Sequence, residues 1–308
     1  MMPSPTGEPE PNTGVLAAFV CYVCWGFFPL YFLLTAPATP FEVVAERVIF
    51  TLIFCAALVP LTRQTKPLLV ALNNKRVMLQ LALAGALVFA NWLIFIIAST
   101  TGHVLESSLG YYINPIISVA LGLVFLGERL RPLQWAGIAV AAVSVLVMCI
   151  FYGSVPWLGL GLALTFGFYG LMKKRVGVLP AVVSLTLETL LVLPLALLIL
   201  GLGAGQNTLF TEGAAHFWVI AGTGLITAVP LLLFATAASS VPLSVIGMIQ
   251  YVGPTLQFLV AVFILHEAMP LARWVGFGLI WVAAAFFIAD SLVNLRLQRR
   301  LLCASAKS

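Results

Sequence analysis

The chain has 308 residues, of which 62% are hydrophobic and only 8% charged, and its mean hydropathy is +1.12. A water-soluble domain carries roughly a quarter charged residues, so the composition excludes one and makes a bilayer the solvent. The formal charge of +5 does not imply nucleic acid, because the basic residues fall in short segments between apolar runs and leave no basic patch for RNA or DNA.

Residues 1–13 are polar, lack the positive region of a signal peptide, and read as a disordered tail. About 20 mainly apolar residues span the hydrocarbon core of a bilayer. By that measure ten spans follow, at 14–34, 43–61, 77–98, 105–126, 132–151, 156–173, 179–200, 217–237, 243–265 and 270–293. The fold class expected is an all-α integral membrane protein.

The first span holds Trp25 and the Cys21–Cys24 pair, whose redox-like spacing lies inside an apolar segment where packing is the simpler role. Arg47 lies a turn or so inside the second span. Glu46 precedes it near the outer surface, and sequence neighbours do not share a helix face. The third span carries Asn91 and Trp92. On the fourth, Glu106 opens the helix, and Ser107, Tyr111, Asn114 and Ser118 follow helical spacing as one polar stripe beside Pro115. The sixth span is short, rich in Gly and contains Tyr169. Glu188 lies midway along the seventh, and the eighth has Thr227 and Pro230. The ninth carries Gln250, Tyr251, Gly253 and Gln257 around Pro254, and a basic tail, 294–308, closes the chain.

Basic residues set the orientation. With both termini inside, every Lys and Arg except Arg47 and Arg273 falls on the cytoplasmic side. The chain also repeats. At a shift of 139, Tyr112, Pro115, Glu128, Trp135 and Gly137 meet Tyr251, Pro254, Glu267, Trp274 and Gly276. At 141, "WGFF" (25–28) lies over "FGFY" (166–169). Five spans per copy is an odd number, so the second copy inserts inverted. The units expected are 14–151 and 152–293, N-in and C-in, with a site near the midplane between them, as in secondary transporters.

Proline lacks an amide hydrogen, so Pro115 and Pro254 are expected to free the carbonyls of Tyr111 and Gln250. At membrane depth such groups need protein, water or ligand. The two polar stripes then read as walls of a wet central cavity; the alternative is interhelical packing. A charge at a helix centre costs about 2.5–3.5 kcal/mol on insertion scales. The functional reading has Arg47 holding an anionic substrate group and Glu188, or Glu106, exchanging a proton. The alternative is an Arg47–Glu188 or Arg47–Glu106 ion pair that only orients helices. A shift of 142 lays Glu46 over Glu188 and suggests ionisable groups at matching depth. Asn91, Trp92 and Thr227 line the cavity or pack, and Trp25 and Tyr169 stack on an amphipathic substrate or fill the core. His103, His216 and His266 lack metal-ligand spacing, so neither metal nor cofactor is expected.

An intramembrane enzyme would need a constellation such as H-E-x-x-H or G-x-S-x-G, and the sequence has neither. It has no Walker motif for ATP. A channel or a structural membrane subunit is the remaining alternative, but channels usually need rings of equivalent groups around a pore.

The segments "YVCWGFFPLYF", "ERVIF", "ANWLIFI", "LESSLGYYINPIISVALGLVFLGERLRPLQW", "LTFGFYGLMKK", "LETLLVLP", "TAVPLLLFATAA" and "QYVGPTLQFLVAVF" resemble the EamA branch of the drug/metabolite transporter superfamily. That resemblance implies a ten-helix fold of two inverted repeats in the bacterial inner membrane. It also implies efflux or exchange of a small metabolite, amino acid or chloramphenicol-like drug; the mechanism expected is alternating access by rocking of the two repeats about the cavity, in a monomer or homodimer. Where members of that family have a basic residue before the arginine of the second span, this chain has Glu46.

Overall fold

The computed structural model describes residues 11–126, 131–152, 155–176, 179–203, 207–240 and 243–305, and every regular element among them is a helix. In chain order these are α1 (Pro11–Leu33), α2 (Pro40–Leu61), α3 (Thr65–Leu72), α4 (Lys75–Thr100), α5 (Val104–Leu126), α6 (Pro132–Tyr152) and α7 (Trp157–Val176). Then come α8 (Ala181–Leu202), α9 (Ala214–Ser240), α10 (Leu243–Ile249), α11 (Val252–Leu259), a π-helical segment Val260–Ile264, and α12 (Leu271–Ser305). Among the described residues, seven helices (α1, α2, α4, α5, α8, α9 and α12) are long and apolar enough to cross a membrane, and Pro132–Met148 and Val252–Ile264 are shorter apolar helices. α7 is 20 residues long but ends in Lys173, Lys174 and Arg175.

Local chemistry sets the ends. Thr39 Oγ1 accepts the Glu42 amide and Pro40 opens α2, while Asn74 Oδ1 accepts the amides of Arg76 and Val77 at the start of α4. The first amides of α5, Val104 and Leu105, donate to the carboxylate of Glu267, 2.6 and 3.0 Å away, so a distant loop caps this helix.

The structure departs from the sequence expectations at several points. α1 begins at Pro11, inside the expected tail; residues 1–10 lie outside the described part. The helix of the last span runs on to Ser305, through most of the segment expected as a tail. A short amphipathic helix, α3, occupies the connection between the second and third spans. The ninth span is not one helix. α10 stops at Ile249, and the Gln250 carbonyl expected to be free accepts the Gly253 amide in a tighter turn at 3.3 Å. α5, by contrast, runs unbroken through Pro115.

The pairing of helices has an internal symmetry. α1 packs on α9 and α11, as α7 packs on α4 and α5; α2 meets α9 as α8 meets α4; and α2–α8, α5–α11 and α6–α12 pair directly. Exchanging α1, α2, α4, α5, α6 with α7, α8, α9, α11, α12 maps this pattern onto itself. Glycines repeat it residue by residue. A Cβ at Gly26 would lie 2.6 Å from Leu256, and one at Gly167 2.7 Å from Ile117. One at Gly137 would lie 2.4 Å from Phe287, and one at Gly276 2.4 Å from Met148. Each glycine seats the residue that the repeat predicts, because only a missing side chain lets these helices approach so closely.

The same contacts correct one register. Gly85 lies under the Glu188 carbonyl and Gly224 under that of Phe50. Gly85 and Gly224 are 139 apart in the sequence, so Glu188 corresponds to Phe50, a full turn beyond Glu46. The 142 shift that superposed the two glutamates gives way, since packing rather than residue type fixes the register. Glu128, part of the sequence repeat, lies outside the described residues.

Candidate functional site

Two buried charges define the site. Arg47, 3% exposed, donates from Nε to Thr227 Oγ1 on α9 at 2.8 Å. Its guanidinium carbon lies 4.3 Å from the Trp92 ring centroid and 5.3 Å from that of Phe32. Such stacking stabilises a guanidinium in a weakly polar setting, yet among the described residues no carboxylate pairs with it, and Nη1 has no hydrogen-bond partner. Glu46 turns to the other side, toward Asn207.

Glu188, 0% exposed, has a full set of donors. Lys173 Nζ approaches Oε1 at 2.7 Å and Ser184 Oγ at 2.8 Å, and Tyr169 Oη donates to Oε2 at 3.1 Å. Lys173 also bonds Ser184 and lies 5.6 Å from the Tyr169 ring centroid. Glu188 therefore pairs with Lys173, and neither expected structural pair, Arg47–Glu188 or Arg47–Glu106, forms. Glu106 instead accepts the amide of Leu158 at 3.3 Å. Leu158 and Lys173 sit at opposite ends of α7, about 22 Å apart at 1.5 Å per residue, so Glu106 and Glu188 do not share one site.

Aromatic rings connect the two charges. Tyr111 stands beside Arg47, reaches Asn91 Oδ1 in a long 3.5 Å contact, and packs edge-on to Phe166, which in turn meets Tyr169. Asn91 Nδ2 donates to the Leu162 carbonyl and to Thr165 Oγ1. Side chains of α2, α4, α5, α7, α8 and α9 thus meet in one cluster.

Other expected residues fall differently. Trp25 packs against Tyr22 and Phe234, and its carbonyl accepts Gln257 Nε2 at 3.1 Å. Ser107 Oγ, Asn114 Oδ1 and Gln257 Oε1 are buried without hydrogen-bond partners, a costly state of about 1–3 kcal/mol each that water or a ligand relieves. Ser118 is exposed and drops out of the stripe. Tyr251 stacks on Tyr112, its repeat partner, at 6.0 Å between centroids. The pair lines a separate recess of about 400 Å³ with Thr255, Phe258 and Trp281. The Pro254 carbonyl accepts Ser108 Oγ at 2.8 Å, which binds the second bend to α5; Gln250 and Pro115 are half-buried near the bends.

Lys173 is the residue that sequence reasoning missed. It reads as one of three topological cations, but a long side chain in the last turn of a helix folds back along it. The signal was a buried glutamate with Ser184 one turn before it and a lysine just across a short connection.

Apolar helices of membrane-spanning length thus surround the buried Arg47 and Glu188. Residues 12–150 match the EamA-like transporter family. The chain is 41% identical to "Protein RarD" of Streptomyces exfoliatus over 97% of its own length and 95% of that protein's. It is 39% identical to "Protein RarD" of Salmonella typhimurium over 93% and 98%. A solved crystal structure of a protein 18% identical shares the fold with a TM-score of 0.61, covering 93% of this chain and 99% of that one. The chain belongs to the EamA-like transporter family and is a multi-pass membrane transporter.

Proposed function

We propose that the protein is a secondary active transporter of the bacterial inner membrane that exports or exchanges a small metabolite, amino acid or drug. In this reading, residues 14–151 and 152–293 are inverted five-helix repeats with both termini in the cytoplasm, and ten crossings include α6, α7 and the broken α10–α11 segment. The self-mapping helix pairs and matched glycine seats support it. The repeats rock about the cluster between them, exposing it alternately to each side.

The observation that carries the proposal is Arg47, a buried guanidinium stacked on Trp92 and held by Thr227, with an N–H left over and no carboxylate partner among the described residues. A buried charge without a counter-ion is expensive, and an anionic group of a solute would supply one. Trp25, Trp92, Tyr111 and Tyr169 offer apolar faces for the rest of the solute, and Asn91, Asn114, Ser107 and Gln257 offer polar contacts. Glu188, held by Lys173 and Tyr169, is the proton-exchanging group.

Proteoliposome uptake of zwitterionic amino acids, organic anions and chloramphenicol tests this. Arg47→Ala is expected to abolish transport of the accepted solute, and Arg47→Lys to retain only a small part, because an ammonium lacks the planar fork. Wild-type uptake by Arg47→Ala removes the anchor role.

A further inference from the structure

α3 is a feature that transport chemistry does not use. At the end of α2, Arg63 adopts a left-handed conformation (φ 58°), and its amide and that of Gln64 bond back to the carbonyls of Pro60 and Val59. The chain thereby turns sharply into α3. One side of α3 is docked: Ala71 is buried and Leu68 packs beside it, against the cluster of Leu81, Val183 and Leu187. The other side is bare. Leu69 is 54% exposed and Val70 71%, with Leu61 at 77% just before the turn.

Around these apolar tips stand Arg63, Lys66, Lys75 and Arg76, all exposed. No acidic residue occurs between Leu61 and Arg76, and among the described residues none of the four cations is in a salt bridge. Exposed aliphatic side chains ringed by unpaired cations match the boundary between acyl chains and anionic headgroups. Water alone would leave the leucines unpaid, and neutral lipid would leave the cations without partners.

We propose that α3 and its flanks form a binding site for anionic phospholipid headgroups, with Leu69 and Val70 inserted at the acyl boundary and Arg63, Lys66, Lys75 and Arg76 on the phosphates. Because Leu68 and Ala71 rest on Val183 and Leu187, the bound lipid braces the segment of α8 that bears Ser184 and Glu188.

The test uses the purified full-length protein in nanodiscs of phosphatidylcholine, with and without phosphatidylglycerol, and follows the thermal unfolding midpoint. Phosphatidylglycerol is expected to raise the midpoint at low salt and not at high salt. Replacing all four cations by Gln is expected to remove that rise, with affinity for the anionic lipid falling about fivefold per cation. Leu69→Gln with Val70→Gln keeps every charge and is expected to reduce the rise, whereas Arg296→Gln, on α12, is expected to leave it intact. An undiminished rise in both α3 variants overturns the proposal. So does an equal rise from inorganic phosphate in detergent, which would mark a simple ion site.

Discussion

Arg47 and Glu188 are both buried charges, but the protein treats them in opposite ways. Glu188 is saturated by Lys173, Ser184 and Tyr169, whereas Arg47 is cushioned by rings and keeps an N–H unspent. The saturated charge has a structural partner to lose. Lys173→Gln leaves a fully buried carboxylate with two neutral donors, and loss of one member of a buried pair costs about 3–5 kcal/mol. The lower end applies, since the Lys173 side chain is 34% exposed. Thermal unfolding of Lys173→Gln is expected to show that loss, and Lys173→Gln combined with Glu188→Gln to recover much of it. An additive double variant would mean that the two side chains are not coupled. At this scale the sequence disclosed that Arg47 and Glu188 are buried, through their cost in an apolar run, but not that Glu42 and Asp290 are. It did not disclose their partners, because a lysine at a helix end points either to water or back along its own helix.

Among the elements, matched glycines decide how closely helices approach. Gly26 seats Leu256 and Gly167 seats Ile117, so Gly26→Val and Gly167→Val are expected to destabilise by similar amounts, about 1–3 kcal/mol each as overpacked contacts. Gly170→Val, where nothing beyond the local backbone of its own helix lies within 4 Å of the added Cβ, serves as the control and is expected to be near neutral. Strongly unequal effects of the first two would count against the repeat. The cap on α5 gives a pH prediction. Burial lifts the Glu267 carboxyl above its ordinary range, against the opposing pull of the Leu105 and Val104 amides and of Arg273 and His103. A carboxyl raised in the folded state contributes stability that is present at acid pH and is lost as pH rises through its folded value. Wild type is therefore expected to lose stability relative to Glu267→Gln as pH climbs out of the carboxylate range, and unfolding midpoints across pH check this. The helices themselves were legible from apolar run length. The break at Gln250–Tyr251 was foreshadowed by Pro254, but α3 was not, since its eight residues are too few to stand out from a loop.

In the whole molecule, the repeat seen as Tyr112 over Tyr251 and Pro115 over Pro254 is matched by the closest helix pairings, which map onto themselves, while the α1–α4 packing has no comparable α7–α9 counterpart among the described residues. That much was readable because close-packed glycines and prolines are constrained by backbone geometry. The site was only half readable. Arg47, Trp92, Asn91, Tyr111, Tyr169 and Glu188 do meet through rings and hydrogen bonds, while Tyr251 and Glu106 go elsewhere, because the side a residue faces depends on helix rotation that a lone sequence leaves open. The proposed function joins an anion anchor to a proton-exchanging carboxylate within one rocking unit. Its most direct test is solute flux in proteoliposomes under an imposed pH gradient, comparing wild type with Glu188→Gln. Gradient-driven accumulation is expected in wild type, and Glu188→Gln is expected to lose its response to the gradient while remaining folded in the bilayer. Glu188→Gln moving solute at the wild-type rate, with unchanged pH dependence, would contradict the coupling.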